Sequence, residues 1–352
     1  MKILAIDTSC DETAAAVTEN ETVVSNVIWS QASLHAKFGG VVPSLAQRQH
    51  EERIDWVINR ALKNAKTQMI NVDAIAVTVG PGLGIALGVG INKAKDLAKK
   101  YKLLIIPINH VESHLLSPLA QSKTNTNFSH NKYFPAYGLV VSGGNTLFVY
   151  IKGVGEYEVL AQTVDDALGE ALDKAARMLG LGYPGGAVLE KFAKQGKANS
   201  YPLPIPMIGQ EKRMEFSYSG LKTALWRLVE KEKQEGLNKE IIANLATSYQ
   251  NVAFEHIIRV LNYYLSHNLL PNTNYLFLGG GVGANTLLRK KLRVLLKSYN
   301  LKLITPYSKR LYGDNAAMVG VSAYLKNKNT KVINYKIEEI DRKPDLNINQ
   351  DI

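Results

Sequence analysis

Short apolar runs closed by polar turns set the rhythm of this chain. Residues 3–6 are apolar and end at Asp7; after Thr8-Ser9-Cys10-Asp11-Glu12-Thr13 an apolar run resumes over 14–17. Two strand-length runs joined by a polar turn predict a β-hairpin. The pattern returns later, where 137–141 leads through Ser142-Gly143-Gly144-Asn145-Thr146 into 147–151. A hairpin that occurs twice, its turn each time rich in hydroxyls, small residues and side-chain carbonyls, predicts an internal duplication. Two similar α/β lobes would then face one another across a cleft.

The remaining periodicity fills in each lobe. Residues 74–79 form a buried-type strand ending at Gly80-Pro81-Gly82-Leu83-Gly84, a helix pattern follows over 85–101, and 103–108 is another strand. Residues 121–132, rich in Ser, Asn and Thr, look like a loop or linker. Helix patterns cover 167–179, 220–233 and 239–267; the strand 275–278 enters Gly279-Gly280-Gly281-Val282-Gly283-Ala284-Asn285, and a helix starts near Thr286. After a strand over 301–304, Gly313-Asp314-Asn315 opens a last helix of small residues. The charged, Asn-rich tail from Lys326 is expected to fray over 343–352. Strands alternating with helices predict an α/β fold. A hairpin-first lobe differs from a dinucleotide fold, which opens strand–helix, and suits the actin-like ATPase fold, where two hairpins clamp a nucleotide.

Composition narrows the setting. At 352 residues and 46% hydrophobic the chain can bury a large core in two domains. It has no apolar stretch of about 18 residues, which speaks against a membrane span, and its start reads as a strand rather than a secretory signal. The single cysteine, Cys10, excludes an intrachain disulfide and fits a reducing, cytoplasmic compartment. A formal charge of +11 makes a polyanionic partner plausible, nucleic acid first.

The candidate chemistry centres on His110-Val111-Glu112-Ser113-His114. On a helix, positions i and i+4 share a face, so both rings can reach one metal ion. The spacing differs from the zinc-protease pattern His-Glu-x-x-His. There the glutamate sits about 60° from the second histidine, whereas Glu112 points about 160° away from it. Two histidines need a further ligand. Asp314, from the opposite half of the chain, either supplies it or caps a helix. Asp7 and Asp11 are organisers of a metal or water. Glu170 and Asp173 share a helix face and either bind a sugar hydroxyl or form an ordinary acidic helix start. Either the Gly279–Asn285 loop presents backbone amides and a helix N-terminus to an anion, or it is a tight strand–helix turn. Asn285 either contacts a ribose or base or caps the helix. The Ser142 to Thr146 turn is a second phosphate contact or a plain hairpin turn, and Gly186 leaves room for a ligand. Lys222 is a phosphate cation or a surface lysine. His35 and His50 read as structural; His130, His256 and His267 read as incidental.

In order, these motifs resemble the TsaD family, also known as the Gcp or YgjD group of tRNA threonylcarbamoyladenosine transferases. The matching stretches run from Asp7-Thr8-Ser9-Cys10-Asp11-Glu12-Thr13 through His110 to His114, Phe216-Ser217-Tyr218-Ser219-Gly220-Leu221-Lys222 and the triple-glycine loop to Gly313-Asp314-Asn315. The resemblance implies a two-lobed actin-like ATPase (ASKHA) fold with duplicated RNase H-like lobes around a central cleft. The N-terminal lobe would span 1–120, completed by a helix over 311–326, and the C-terminal lobe 133–310, with 327–352 a tail flexible at its end. The implied reaction moves the threonylcarbamoyl group of threonylcarbamoyl-AMP to the N6 amine of the adenosine beside the anticodon, in tRNAs reading ANN codons. Carried over, His110, His114 and Asp314 are the metal ligands, for Fe(2+) or Zn(2+). Val141, Ser142, Gly143, Gly144, Asn145, Asp173, Gly186 and Asn285 contact substrate. For the reaction so implied, Asp11 or a metal-bound water would assist deprotonation of the attacking amine, with Glu12 a further catalytic candidate. The helix N-terminus after the glycine loop would help hold the AMP. Implied partners are tRNA and the accessory proteins TsaB and TsaE. Two positions depart from the pattern: Asn145 stands where many bacterial relatives carry histidine, and Glu190 where a shorter residue is common. Rival readings are a metalloprotease, a small-molecule kinase of the same fold and a non-enzymatic nucleotide-gated scaffold.

Overall fold

A computed structural model describes residues 1–124, 130–270, 272–329 and 335–350. The first sheet contains β1 (Lys2–Asp7), β2 (Glu12–Glu19), β3 (Thr22–Ser30), β4 (Ala74–Gly80) and β5 (Leu104–Asn109), in the order β3-β2-β1-β4-β5. The second contains β6 (Ala136–Val141), β7 (Thr146–Gly153), β8 (Glu156–Thr163), β9 (Glu215–Phe216), β10 (Tyr275–Gly279) and β11 (Lys302–Ile304), in the order β11-β10-β6-β7-β8-β9. Read from its other edge and past the short β9, that order is β8-β7-β6-β10-β11, the topology of the first sheet. In both, an antiparallel meander starts the sheet and two parallel strands extend it from the first strand. The duplication expected from the two hairpins is therefore present in the strand order. β4 and β6 are buried along their whole length, as unbroken apolar runs in parallel-sheet centres require.

The helices are α1 (Ala32–His35), α2 (Pro43–Asn64), α3 (Gly84–Tyr101), α4 (His110–Leu116), α5 (Leu168–Met178), α6 (Gly186–Ala193), α7 (Ser219–Glu235), α8 (Lys239–Asn268), α9 (Thr286–Lys297) and α10 (Ala316–Asn329). The sequence reading lacks α2, which opens with a proline in its first turn and buries Ala46, His50, Ile54, Val57, Ile58, Ala61 and Leu62 at helical spacing. One core joins the sheets: Ile3 and Ala5 of β1, Val140 of β6 and Phe277 of β10 pack with Leu115 of α4 and Met318 and Leu325 of α10. The histidine-bearing α4 thus lies between the lobes, in contact with β5, β6, β10 and α10.

Two expectations need revision. Of the expected linker, residues 125–129 lie outside the described residues, but Gln121 is tied to the β2–β3 turn, its amide donating to Glu21 and its carbonyl accepting from Val23. The tail, expected to fray over 343–352, is instead docked on the N-terminal lobe as far as Asn347, with 351–352 outside the described residues. Ile340 and Leu346 are buried in the core of that lobe, and the Lys343 amide donates to the Val79 carbonyl at 2.7 Å. Its charge concealed two well-placed apolar anchors. No helix among the described residues is long and apolar enough to cross a membrane.

Candidate metal centre in the interlobe cleft

The end of β5 delivers the histidines. Asn109 caps α4, its Oδ1 accepting from the amides of Val111 (2.8 Å) and Glu112 (3.2 Å), so the helix begins at His110 itself. One turn later His114 lies on the same face, and the rings meet edge to face with centroids 4.7 Å apart. Both Nε2 atoms converge on Asp314 Oδ1, His114 at 3.1 Å and His110 at 3.5 Å. Asp314 is free to do so because Asn315 takes the cap of α10: its Oδ1 accepts from the Met318 amide at 3.1 Å. Behind His110, fully buried Asp7 faces Nδ1 at 3.8 Å. The β10 strand can approach only because residue 279 is glycine; a Cβ there would lie 2.0 Å from the His114 carbonyl oxygen.

These residues fit a metal ion. Two imidazoles and one carboxylate, with ligand atoms all within 4.8 Å of one another, are a donor set for zinc or iron. The spacings to Asp314 match those between neighbours around an ion held at about 2.1 Å. A carboxylate behind the far nitrogen of a ligating histidine orients the ring. The electrostatics agree. Burial pulls His110 down, but Asp314 and Asp7 outweigh it and push it up to about 9. Burial lowers His114, against the hydrogen bond to Asp314. Asp314, despite its burial, is held well below the usual carboxylate range by His110 and His114. The charge pattern asks for a cation among the carboxylates. Glu112 points away, as its position in the helix turn predicts. It is buried and accepts from the Tyr157 hydroxyl at 2.8 Å, so it cannot serve a zinc-protease mechanism.

A cleft of about 680 Å³ opens in front of the cluster, lined by His110 and Asp314, the β1–β2 turn (Ser9 to Glu12), Pro81 to Leu83, the β6–β7 turn (Ser142 to Asn145), Glu170 and Asp173 of α5, and Tyr183 and Gly281. That volume holds a nucleotide-sized ligand. Asp11 and Glu12 enter it from the N-terminal lobe. Burial, Asp11 and Asp314 push Glu12 well above the usual carboxylate range, and its Oε1 accepts from the Ser30 hydroxyl at 3.0 Å. Burial, then Asp11, likewise raises Cys10, which remains a thiol. Gly143 and Gly144 are exposed and unobstructed at the tip of their turn, whose Ser142 carbonyl accepts from the Gly169 amide of α5 at 3.1 Å. Across the mouth Arg177 of α5 donates to the Gly39 carbonyl at 2.7 Å, linking the two lobes.

Other candidates fall elsewhere. Val141 is buried in the core. Asp173 reaches the cleft but also accepts from the Gly185 and Gly186 amides at 2.8 and 2.7 Å, so Gly186 is bound to it. Asn285 is occupied: its Oδ1 caps α9 and its amide donates to Gln250 at 2.8 Å. Glu190 accepts from the amide and hydroxyl of Thr286 at 3.1 and 2.7 Å. The α9 N-terminus, expected to hold an anion, is therefore already satisfied by Asn285 and Glu190. Lys222 pairs with Asp166 at 2.8 Å, alongside Lys174. His50 braces the β1–β2 turn through Thr13 and the Cys10 carbonyl, at 2.8 and 3.0 Å. His256, read as incidental, accepts from the Ser217 amide at 3.1 Å between Phe216 and Tyr218. Asp165, which opens the family-like stretch to Lys174 and has no role expected from sequence, accepts from the Ser217 and Ser219 hydroxyls and the Tyr218 amide. The hydroxyl-rich Ser217-Tyr218-Ser219 run was the signal for such an acceptor.

A family model described as "TsaD: tRNA N6-adenosine threonylcarbamoyltransferase" matches residues 22–321. The tRNA N6-adenosine threonylcarbamoyltransferase of Bartonella henselae is 41% identical over 333 residues, 91% of this chain and 88% of its own. That of Trichodesmium erythraeum is 41% identical over 328 residues, 90% of this chain and 97% of its own. Among solved structures, T. kodakarensis HypF aligns with a TM-score of 0.59 at 15% identity, covering 93% of this chain and 48% of its own. Component A of the Acidaminococcus fermentans (R)-2-hydroxyglutaryl-CoA dehydratase aligns with a TM-score of 0.52 at 12% identity, covering 93% and 99%. At those identities the structures speak for the fold alone.

Proposed function

The chain belongs to the TsaD family of tRNA N6-adenosine threonylcarbamoyltransferases, and on that premise we propose how its cleft carries out the transfer. The fold is the two-lobed actin-like ATPase fold. The activity is transfer of the threonylcarbamoyl group of threonylcarbamoyl-AMP to the N6 amine of the adenosine beside the anticodon, in tRNAs reading ANN codons. The observation that carries this reading is the convergence of His110, His114 and Asp314 on one point of a nucleotide-sized cleft.

His110, His114 and Asp314 would hold one divalent ion. Two histidines and a carboxylate with open positions favour Fe(2+), with Zn(2+) the alternative. Such an ion supplies Lewis acidity toward the carbamoyl carbonyl or an anchor for the adenylate phosphate. The exposed Gly143-Gly144 tip lets a phosphate come close to backbone amides, and Ser142 and Asn145 flank it. With the α9 N-terminus satisfied internally, this turn is the better anion contact. The exocyclic amine of adenine is a weak nucleophile. As its nitrogen bonds to the carbamoyl carbon, Asp11 takes the proton it loses, and the bond to the phosphate oxygen breaks to release AMP. Glu12 is the second carboxylate on this wall of the cleft, its proton affinity raised by burial. The basic surface orients tRNA through its phosphates. We place the reaction in the cytoplasm, with TsaB and TsaE as accessory proteins.

The test supplies threonine, bicarbonate, ATP, the adenylate-forming enzyme, the accessory proteins and unmodified tRNA, then digests the tRNA for mass analysis of nucleosides. Threonylcarbamoyladenosine appears only when this chain is present. Its absence from the complete mixture would sink the reading.

A further inference from the structure

The docked tail passes behind two walls of the cleft at once. The Lys343 amide donates to the Val79 carbonyl at 2.7 Å, and the Pro344 carbonyl accepts from the Gly82 amide at 3.0 Å. Gly82 belongs to the loop that lines the cleft, and its neighbour Leu83 donates to the Ser9 carbonyl at 2.8 Å in the β1–β2 turn. Three residues further along, the Asn347 carbonyl accepts from Asn109 Nδ2 at 3.1 Å. Asn109 is the residue whose other side-chain atom caps the histidine helix. One amide group therefore ties the tail to the start of α4. The chain is shaped for this passage: a Cβ at position 80 would lie 1.8 Å from the Lys343 carbonyl oxygen, so only glycine admits the tail there. Leu346, buried in the N-terminal core, pins the segment between its contacts.

We propose that residues 342–347 are a positioning strap for the transferase site, which holds Asn109 and the Pro81–Leu83 wall in register and thereby sets the geometry of the His110–His114 pair. The inference rests on the metal reading above. Asn109 is the positioning residue: it is buried, does not line the cleft and acts through α4. Outer contacts of this kind typically change metal affinity by about 10- to 100-fold when lost.

The experiment uses the whole 352-residue chain, two disrupting variants and one restoring variant. Asn109→Ser keeps an oxygen to cap α4 and removes the amide that holds the strap. Leu346→Ala loosens the strap from a position that does not line the cleft. Zn(2+) affinity is measured by chelator competition, kcat and KM for tRNA in the transfer assay, and hydrogen exchange at the amides of Gly82 and Lys343. Both variants are expected to lose about tenfold in Zn(2+) affinity and to lower kcat while KM for tRNA stays within twofold, and Leu346→Ala to speed exchange at both amides. Leu346→Met, which refills the anchor, restores all three readouts. Wild-type affinity and kcat in both folded variants overturn the strap, as does unchanged exchange in Leu346→Ala; should Leu346→Ala not fold, Asn109→Ser decides. A parent protein that binds no Zn(2+) would instead defeat the metal reading.

Discussion

Asp11 and Asp314 face the same cleft and are the same residue type, yet they answer to different neighbours. Asp314 is bound to both imidazoles; Asp11 stands free of the cluster. Substituting each by alanine should separate binding from chemistry. Asp314→Ala is expected to lose the metal, measured by elemental analysis after anaerobic purification. Asp11→Ala is expected to keep it while kcat falls by roughly 10² to 10⁴, the usual worth of a positioned base. Wild-type turnover in Asp11→Ala would remove it from the mechanism. At this scale the sequence was most legible where spacing restricts the options. Two histidines at helical i and i+4 could share a ligand, and Glu112 could not join them. It was least legible where one side chain serves two roles. Asn285 suits a cap or a ribose equally by type, and only the fold brings Gln250 and the first turn of α9 to its side chain.

Among the elements, the segment Phe216 to Ser219 shows how a buried histidine makes a turn dependent on pH. His256 must be neutral to accept from the Ser217 amide, and burial, then Arg259, hold it down at about 4. An unfolded chain takes up the proton near the ordinary imidazole value of 6.5. The stabilisation is complete above 6.5 and is lost as the pH falls through this window to about 4, by up to about 3 kcal/mol. Urea unfolding across that range should show the loss, and His256→Phe, which cannot protonate, should flatten it. An equal slope in the variant would assign the effect to other groups. The strands flanking the two hairpin turns, the parallel strands and the glycine turns could be read from local patterns, whereas β3 and β8, which complete the two meanders, were not read. The helix α2 could not, because Gln47, Gln49, Glu51, Glu52 and Arg53 crowd its exposed side and dilute a buried stripe that only the sheet beneath it makes visible. For His256 nothing in the sequence of α8 pointed to Ser217, a contact across 39 positions of chain.

For the molecule as a whole, a +11 charge and a polyanionic substrate make association depend on salt. If about three phosphates are neutralised, tRNA affinity should fall tenfold or more between about 50 and 200 mM monovalent salt. A flat salt response in a binding titration would show that the surplus lysines serve another purpose. The two-lobed plan was legible because the hairpin pattern occurs twice; the docking of 335–347 was not, since two apolar anchors in a charged segment carry no period. The same long-range design bears on how the protein is made. β1 to β5 and the histidines leave the ribosome well before their partners: Asp314 follows His114 by 200 residues, and α10, which covers the first sheet, comes later still. At elongation speeds of about 20 residues per second that is a delay of roughly ten seconds. Throughout that interval the lobe that carries the histidines lacks both the carboxylate that completes the cluster and the helix that covers its sheet.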